Sequence, residues 1–138
     1  MYYIRVQDEF CAAHLLHFAD GSTEPLHGHN YKVEVTIVCP TLDGQGIGVD
    51  YLVVHAALHR ILDRELDHVN LNSVEGLNDP NPTSENVARW IAGRMQRELT
   101  GLPGDARMHS VTVWETHAFG VTFEVPDSLE TPDAGAST

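Results

Sequence analysis

The sequence predicts an α+β domain of order ββααββ, on three observations. Two stretches near the start alternate apolar and polar residues with a period of two, and two central stretches repeat apolar residues at intervals of three and four. Two short alternating runs then close the chain, and glycine- and proline-rich segments such as "CPTLDGQGIG", "NDPNP" and "GLPGDA" punctuate the order. At 138 residues, 42% hydrophobic and 20% charged, the chain fits one globular domain with a modest core.

The first strand runs over residues 2 to 14. Tyr2, Ile4, Val6, Phe10 and Ala12 share the face that ends at His14. A polar loop, "LLHFADGSTEP", leads to the second strand, residues 29 to 38, headed by "LHGHNY". Because successive side chains alternate, His27, His29, Tyr31, Val33, Val35 and Ile37 lie on one side and Lys32, Glu34 and Thr36 on the other. The two imidazoles therefore point toward the core side.

Asp50 is placed to cap a helix over 50 to 66, with Tyr51, Val54, Leu58, Ile61 and Leu62 on its apolar face. Thr83, after Pro82, is placed to cap a second helix over 84 to 99 that turns Val87, Ile91 and Met95 inward. Residues 107 to 115 and 119 to 125 read as a hairpin: Val111, Val113 and Glu115 share a face of one strand, and Val121, Phe123 and Val125 lie in its partner. The domain thus spans 1 to 125, and 126 to 138 reads as a disordered acidic tail.

Composition narrows the partners. Eight Lys and Arg against 20 Asp and Glu give −12, which repels phosphate backbones and argues against nucleic acid. No apolar run approaches the ~20 residues that cross a bilayer, and "MYYIRVQDEF" lacks a signal-peptide layout, so no membrane partner and a cytoplasmic location are expected. Cys11 and Cys39 form no CxxC pair and read as small buried hydrophobes. Cys11, three residues before His14, faces away from it in a regular strand.

His14 closes the first strand and His27 and His29 open the second. If these strands pair antiparallel, the three imidazoles converge at one end of the hairpin. Three neutral nitrogens suit a catalytic Zn²⁺, because they leave a fourth position for water or a substrate oxygen. Nine histidines in 138 residues also produce an HxH by chance, so surface imidazoles are the plain alternative.

"FCAAH", "LHGHNY", "GVDY", "LDHVNLN", "NPTSENVARWI" and "VTVWET" stand in an order and spacing that resembles the 6-pyruvoyl-tetrahydropterin synthase and 6-carboxy-tetrahydropterin synthase family, over residues 1 to about 125. The resemblance implies a tunnelling fold: ββααββ subunits, each an antiparallel sheet with two helices on one face, join into trimeric barrels that stack as a homohexamer. It implies a zinc on His14, His27 and His29 and a pterin substrate. It also implies that Glu115 anchors the pterin ring, that "NPTSEN", with Thr83, walls the pterin pocket, and that Asp67 and His68 transfer protons. Taken alone, Glu115 is an ordinary strand-end acid, and Asp67 and His68 are a capped helix end.

The chain departs from that family at the catalytic thiol. The 6-carboxy branch places a cysteine four residues before the first histidine of HGH, where this chain has Thr23; the animal 6-pyruvoyl branch places it six before, where this chain has Gly21. A third branch, which makes 6-hydroxymethyl-dihydropterin, uses a glutamate three before, and Glu24 stands there. A carboxylate near Zn²⁺ can take a proton from a hydroxyl. Glu24 also reads as a plain surface-loop acid.

The implied activity is a zinc-dependent lyase on the C6 side chain of 7,8-dihydroneopterin triphosphate or a close relative, by retro-aldol cleavage. The 6-carboxy and 6-pyruvoyl syntheses, a pterin-binding protein without turnover and a zinc hydrolase are the alternatives. His55 and His59, four apart on the first helix, read as a solvated face, as do Asp63 and Glu65. His17, His109 and His117 have no evident partner.

Overall fold

A computed structural model describes residues 1–127. The acidic tail expected over 126 to 138 lies outside the described residues from position 128 onward. Strands β1 (Tyr2–His14) and β2 (His27–Cys39) are followed by helix α1 (Tyr51–Ile61), strand β3 (Val69–Asn70), helix α2 (Ser84–Glu98) and strands β4 (Arg107–Trp114) and β5 (Gly120–Glu124). They form one five-stranded sheet of order β3-β1-β2-β4-β5.

The long first hairpin sets the register of the molecule. β1 and β2 pair antiparallel from Tyr2 opposite Cys39 to His14 opposite His27, so the second strand begins two residues earlier than its alternation announces. Both helices cover the same face of the sheet. Val54, Ala57, Leu58 and Ile61 of α1 and Val87, Ala88, Ile91, Ala92 and Met95 of α2 join Val6, Phe10, Tyr31, Val33, Val35, Ile37, Val111 and Val113 in one buried cluster. Phe10 and Tyr31 stack within it at 4.7 Å. The opposite face is polar, and Gln7, Glu9, Asn30, Lys32 and Glu34 line a hollow there beside Trp114.

The helix caps follow from residue chemistry: Asp50 Oδ1 accepts from the Leu52 N–H at 2.9 Å, and Thr83 Oγ1 from that of Asn86 at 3.2 Å.

Several expectations need correction. The sheet is mixed rather than wholly antiparallel, because β3 pairs parallel with β1 at Ala12 and Ala13. The first helix is regular only to Ile61, and Leu62–Leu66 form a wider π turn that delivers the chain to Asp67. Tyr51 and Tyr2 are exposed: the first lies at the helix start beyond the sheet, and the second at the outer end of β1. Cys39 is buried, but Cys11 is exposed, because it sits on the sheet face that no helix covers. Among the described residues no helix is long and apolar enough to cross a membrane.

Candidate metal centre and adjoining cavity

The β1–β2 register places His14 directly opposite His27, with His29 two residues further along the same face. The result is a group in which one ligand atom each from His14, His27, His29 and Glu115 lies within 4.8 Å of the others. His14 is buried, and the other three are half-buried.

Backbone carbonyls fix the imidazoles. His14 Nδ1 donates to the Pro82 carbonyl at 3.0 Å and His27 Nδ1 to the Pro25 carbonyl at 2.7 Å, because a carbonyl can only accept. The proton then sits on Nδ1 in both rings, and the two Nε2 atoms face each other as bare lone pairs 3.1 Å apart. Two acceptors so close repel unless a cation or a proton lies between them. His29 Nε2 is buried with no hydrogen-bond partner, although Glu115 Oε1 stands 2.9 Å from it. Burial lowers the pKa of His29, an effect that the Glu115 carboxylate opposes and the neighbouring His14 and His27 reinforce. Three converging imidazole nitrogens, one of them orphaned, fit a divalent metal ion. Outer partners of this kind are what orient metal-binding histidines.

Glu115, just past β4, divides its carboxylate between two neighbours: Oε1 faces His29, and Oε2 accepts from the Ser84 hydroxyl at 3.1 Å. It borders a cavity of ≈ 440 Å³ lined by His14, Thr83, Ser84, Phe119 and Gly120. Gly120 is required here, since a Cβ would meet the Trp114 ring at 2.6 Å. Glu24 approaches from the loop between β1 and β2; its Oε1 accepts from the Leu16 N–H at 3.1 Å and lies 3.8 Å from His27 Nε2.

Asp67 and His68 stand elsewhere. Asp67 Oδ1 accepts from the Cys11 N–H at 2.9 Å, Oδ2 lies 2.9 Å from His68 Nδ1, and the His68 N–H donates to the Cys11 carbonyl. The pair therefore sits on the β3 edge of the sheet and is not part of the four-residue group. A cavity of ≈ 540 Å³ opens there, lined by Cys11, Gly28, Asn30 and His68. Among the described residues His68 is the one non-glycine with a positive φ, 58°, a strained backbone of a kind that collects at functional sites.

The hydrogen bond from Cys11 lowers the pKa of Asp67, helped by His68. A lowered carboxyl pKa contributes stability above its unfolded value of ~3.9, and that contribution is lost as pH falls through the folded value. Asp67→Asn should therefore lower Tm at pH 7, and the deficit should shrink below about pH 4. A deficit that is the same at pH 7 and pH 3 in thermal unfolding would contradict this.

Sequence reasoning missed Ser84, Tyr31 as a neighbour of His14 (hydroxyl to Nδ1, 3.3 Å) and the two proline carbonyls. "NPTSEN" pointed to a helix cap and, through the family resemblance, to a pocket wall with Thr83, but not to the Ser84 hydroxyl, and carbonyls carry no residue-type signal. His59 is exposed, as a solvated helix face requires, and its Nδ1 also lies 2.9 Å from Asp8, which raises its pKa.

The profile of the 6-pyruvoyl tetrahydropterin synthase family matches residues 3–126. The chain belongs to this family. The dihydroneopterin monophosphate aldolase of Pyrococcus furiosus is 36% identical to this family member over 118 residues, covering 83% of this chain and 90% of its own length. The 6-carboxy-5,6,7,8-tetrahydropterin synthase of Synechocystis sp. is 36% identical over 120 residues, covering 84% and 88%. The solved Caenorhabditis elegans 6-pyruvoyl tetrahydropterin synthase superposes with a TM-score of 0.78 at 25% identity, over 91% of this chain and 96% of that one. The tunnelling-fold subunit and a place among enzymes of pterin pathways follow from this membership.

Proposed function

We propose that this synthase-family member is a zinc-dependent lyase that cleaves the C6 side chain of a 7,8-dihydroneopterin phosphate, the triphosphate or the monophosphate, by retro-aldol reaction to 6-hydroxymethyl-7,8-dihydropterin. The observation that carries the reading is the convergence of the His14, His27 and His29 nitrogens beside a cavity fronted by Glu115. The Pyrococcus furiosus relative, an aldolase on dihydroneopterin monophosphate, supports carbon–carbon cleavage. The Synechocystis relative is as similar and favours 6-carboxy synthesis as the second reading. Thr23 and Gly21 in the cysteine positions, with Glu24 3.8 Å from His27, tip the choice toward the aldolase.

His14, His27 and His29 would hold the metal. When bound, Zn²⁺ supplies positive charge that offsets the negative charge developing on a side-chain oxygen. Glu115 would accept paired hydrogen bonds from the amino-pyrimidine edge of the ring, with Thr83 and Ser84 walling the cavity beside it. Glu24 would remove the proton from the 2′-hydroxyl. The C1′–C2′ bond then breaks, its electron pair enters the ring's C6–N5 imine, and the two outer carbons leave as an aldehyde. Asp67 and His68 would return a proton to C1′, with Asp67 orienting the imidazole.

Because Asp67 and His68 lie on the sheet edge, apart from the histidine group, their role requires a site completed by a neighbouring subunit. Among the described residues the outer edges of β3 and β5 have no strand partner, and such edges are normally protected. A homohexamer built as two stacked trimers would pair them. Light scattering should give about six times the 15.2 kDa chain mass; a monomer at micromolar concentration would contradict the shared site.

The test of the activity compares demetallated and zinc-reloaded protein with either dihydroneopterin phosphate. Consumption should require the metal. Equal consumption without metal would overturn the zinc reading, and tight binding with no consumption would leave a binding protein.

A further inference from the structure

Residues 15–17, which follow His14, leave the main sheet, and side chains bind their backbone. The Leu15 N–H donates to Asn72 Oδ1, and the Leu15 carbonyl accepts from Asn72 Nδ2, both at 2.9 Å. The His17 N–H donates to Asn81 Oδ1 at 2.6 Å, and its carbonyl accepts from Asn81 Nδ2 at 2.9 Å. Between them, Leu16 donates to Glu24 Oε1 and accepts from the Glu24 N–H, both at 3.1 Å. A primary amide offers one acceptor and two donors, so each asparagine stands in for the strand neighbour that the segment lacks on the side away from Thr23 and Glu24.

Both asparagines are themselves fixed. The Asn81 carbonyl accepts from Asn86 Nδ2 of α2 at 2.8 Å, and the Asn72 N–H donates to Asn70 Oδ1 at 3.0 Å. Asn81 also precedes Pro82, whose buried carbonyl takes the His14 Nδ1 proton. One side chain therefore ties the backbone three residues beyond His14 to the peptide that sets the tautomer of His14.

We propose that Asn72 and Asn81 are positioning residues: by holding residues 15–17 they set the ring of His14 toward the metal and the carboxylate of Glu24 beside it. The inference rests on the metal reading above and adds the elements that preorganise it. Outer partners of metal ligands typically account for ~10–100-fold in metal affinity, and a similar share is expected here.

The test titrates Co²⁺ into the demetallated full-length chain and follows its visible absorption, which reports ligand geometry. Asn81→Asp keeps the acceptor for the His17 N–H but sets a second acceptor against the His17 carbonyl; Asn72→Asp does the same at Leu15. Each should raise the Co²⁺ dissociation constant about ten- to a hundredfold and alter the visible bands. Ile91→Val, a fully buried core change outside the site, should lower Tm yet keep wild-type constant and bands, which separates positioning from loss of stability. If Asn81→Asp does not fold, Asn81→Ser removes the clamp without adding charge and is read in the same way. Folded asparagine variants with the wild-type constant and bands would overturn the inference. A wild type that takes up no Co²⁺ would overturn the metal reading on which it rests.

Discussion

His29→Ala is expected to strip most of the metal from the purified protein. The imidazole supplies one of three converging nitrogens, and its Nε2 is buried without a hydrogen bond, with the Glu115 carboxylate 2.9 Å away as its one close polar neighbour outside the histidines. Two remaining ligands make a weak site, and the loss should exceed the ~10–100-fold typical of outer partners. His14→Ala and His27→Ala should act alike, while His55→Ala on the exposed face of α1 should keep full metal. Elemental analysis decides: full zinc in all three ligand variants would contradict the assignment.

Glu24→Gln is expected to lower kcat by at least about a hundredfold, the lower end of what a general acid or base supplies. The glutamine carbonyl can still accept from the Leu16 N–H, so the loop between β1 and β2 keeps its shape and the variant removes only the base. Metal content and KM should stay near wild type, the pattern of an interaction made only in the transition state. Glu115→Gln should differ, because the carboxylate that would hold the ring faces both Ser84 and the cavity, and its loss weakens substrate binding and raises KM. Turnover left untouched by Glu24→Gln would remove Glu24 from the mechanism.

The parts of the fold that repeat were legible. Alternation marked β1 and β2, the intervals of three and four marked both helices, and Asp50 and Thr83 marked where the helices start. The placement of two histidines at the head of β2 and one at the foot of β1 was enough to bring the three imidazoles together, because antiparallel register carries one strand end onto the other. What escaped has no period. β3 is two residues long, too short for any pattern, yet it makes the sheet mixed and puts Asp67 and His68 on an edge. The π turn over Leu62–Leu66 looks like continued helix in residue type. The Pro25 and Pro82 carbonyls and the asparagine clamps act through backbone groups that every residue carries, so only the fold reveals them. Glu24, three residues before His27, stood out as a candidate base only against a family pattern.

The central claim is that a retro-aldol reaction breaks the C1′–C2′ bond and leaves C1′ on the ring as a hydroxymethyl group. Zinc-loaded protein given a dihydroneopterin phosphate labelled with ¹³C at C2′ answers it directly by mass analysis. The account predicts unlabelled 6-hydroxymethyl-7,8-dihydropterin, with all the label in a two-carbon aldehyde that still carries its phosphate. Label retained in the pterin product, as 6-pyruvoyl synthesis would leave it, or an unlabelled 6-carboxy pterin would contradict the account.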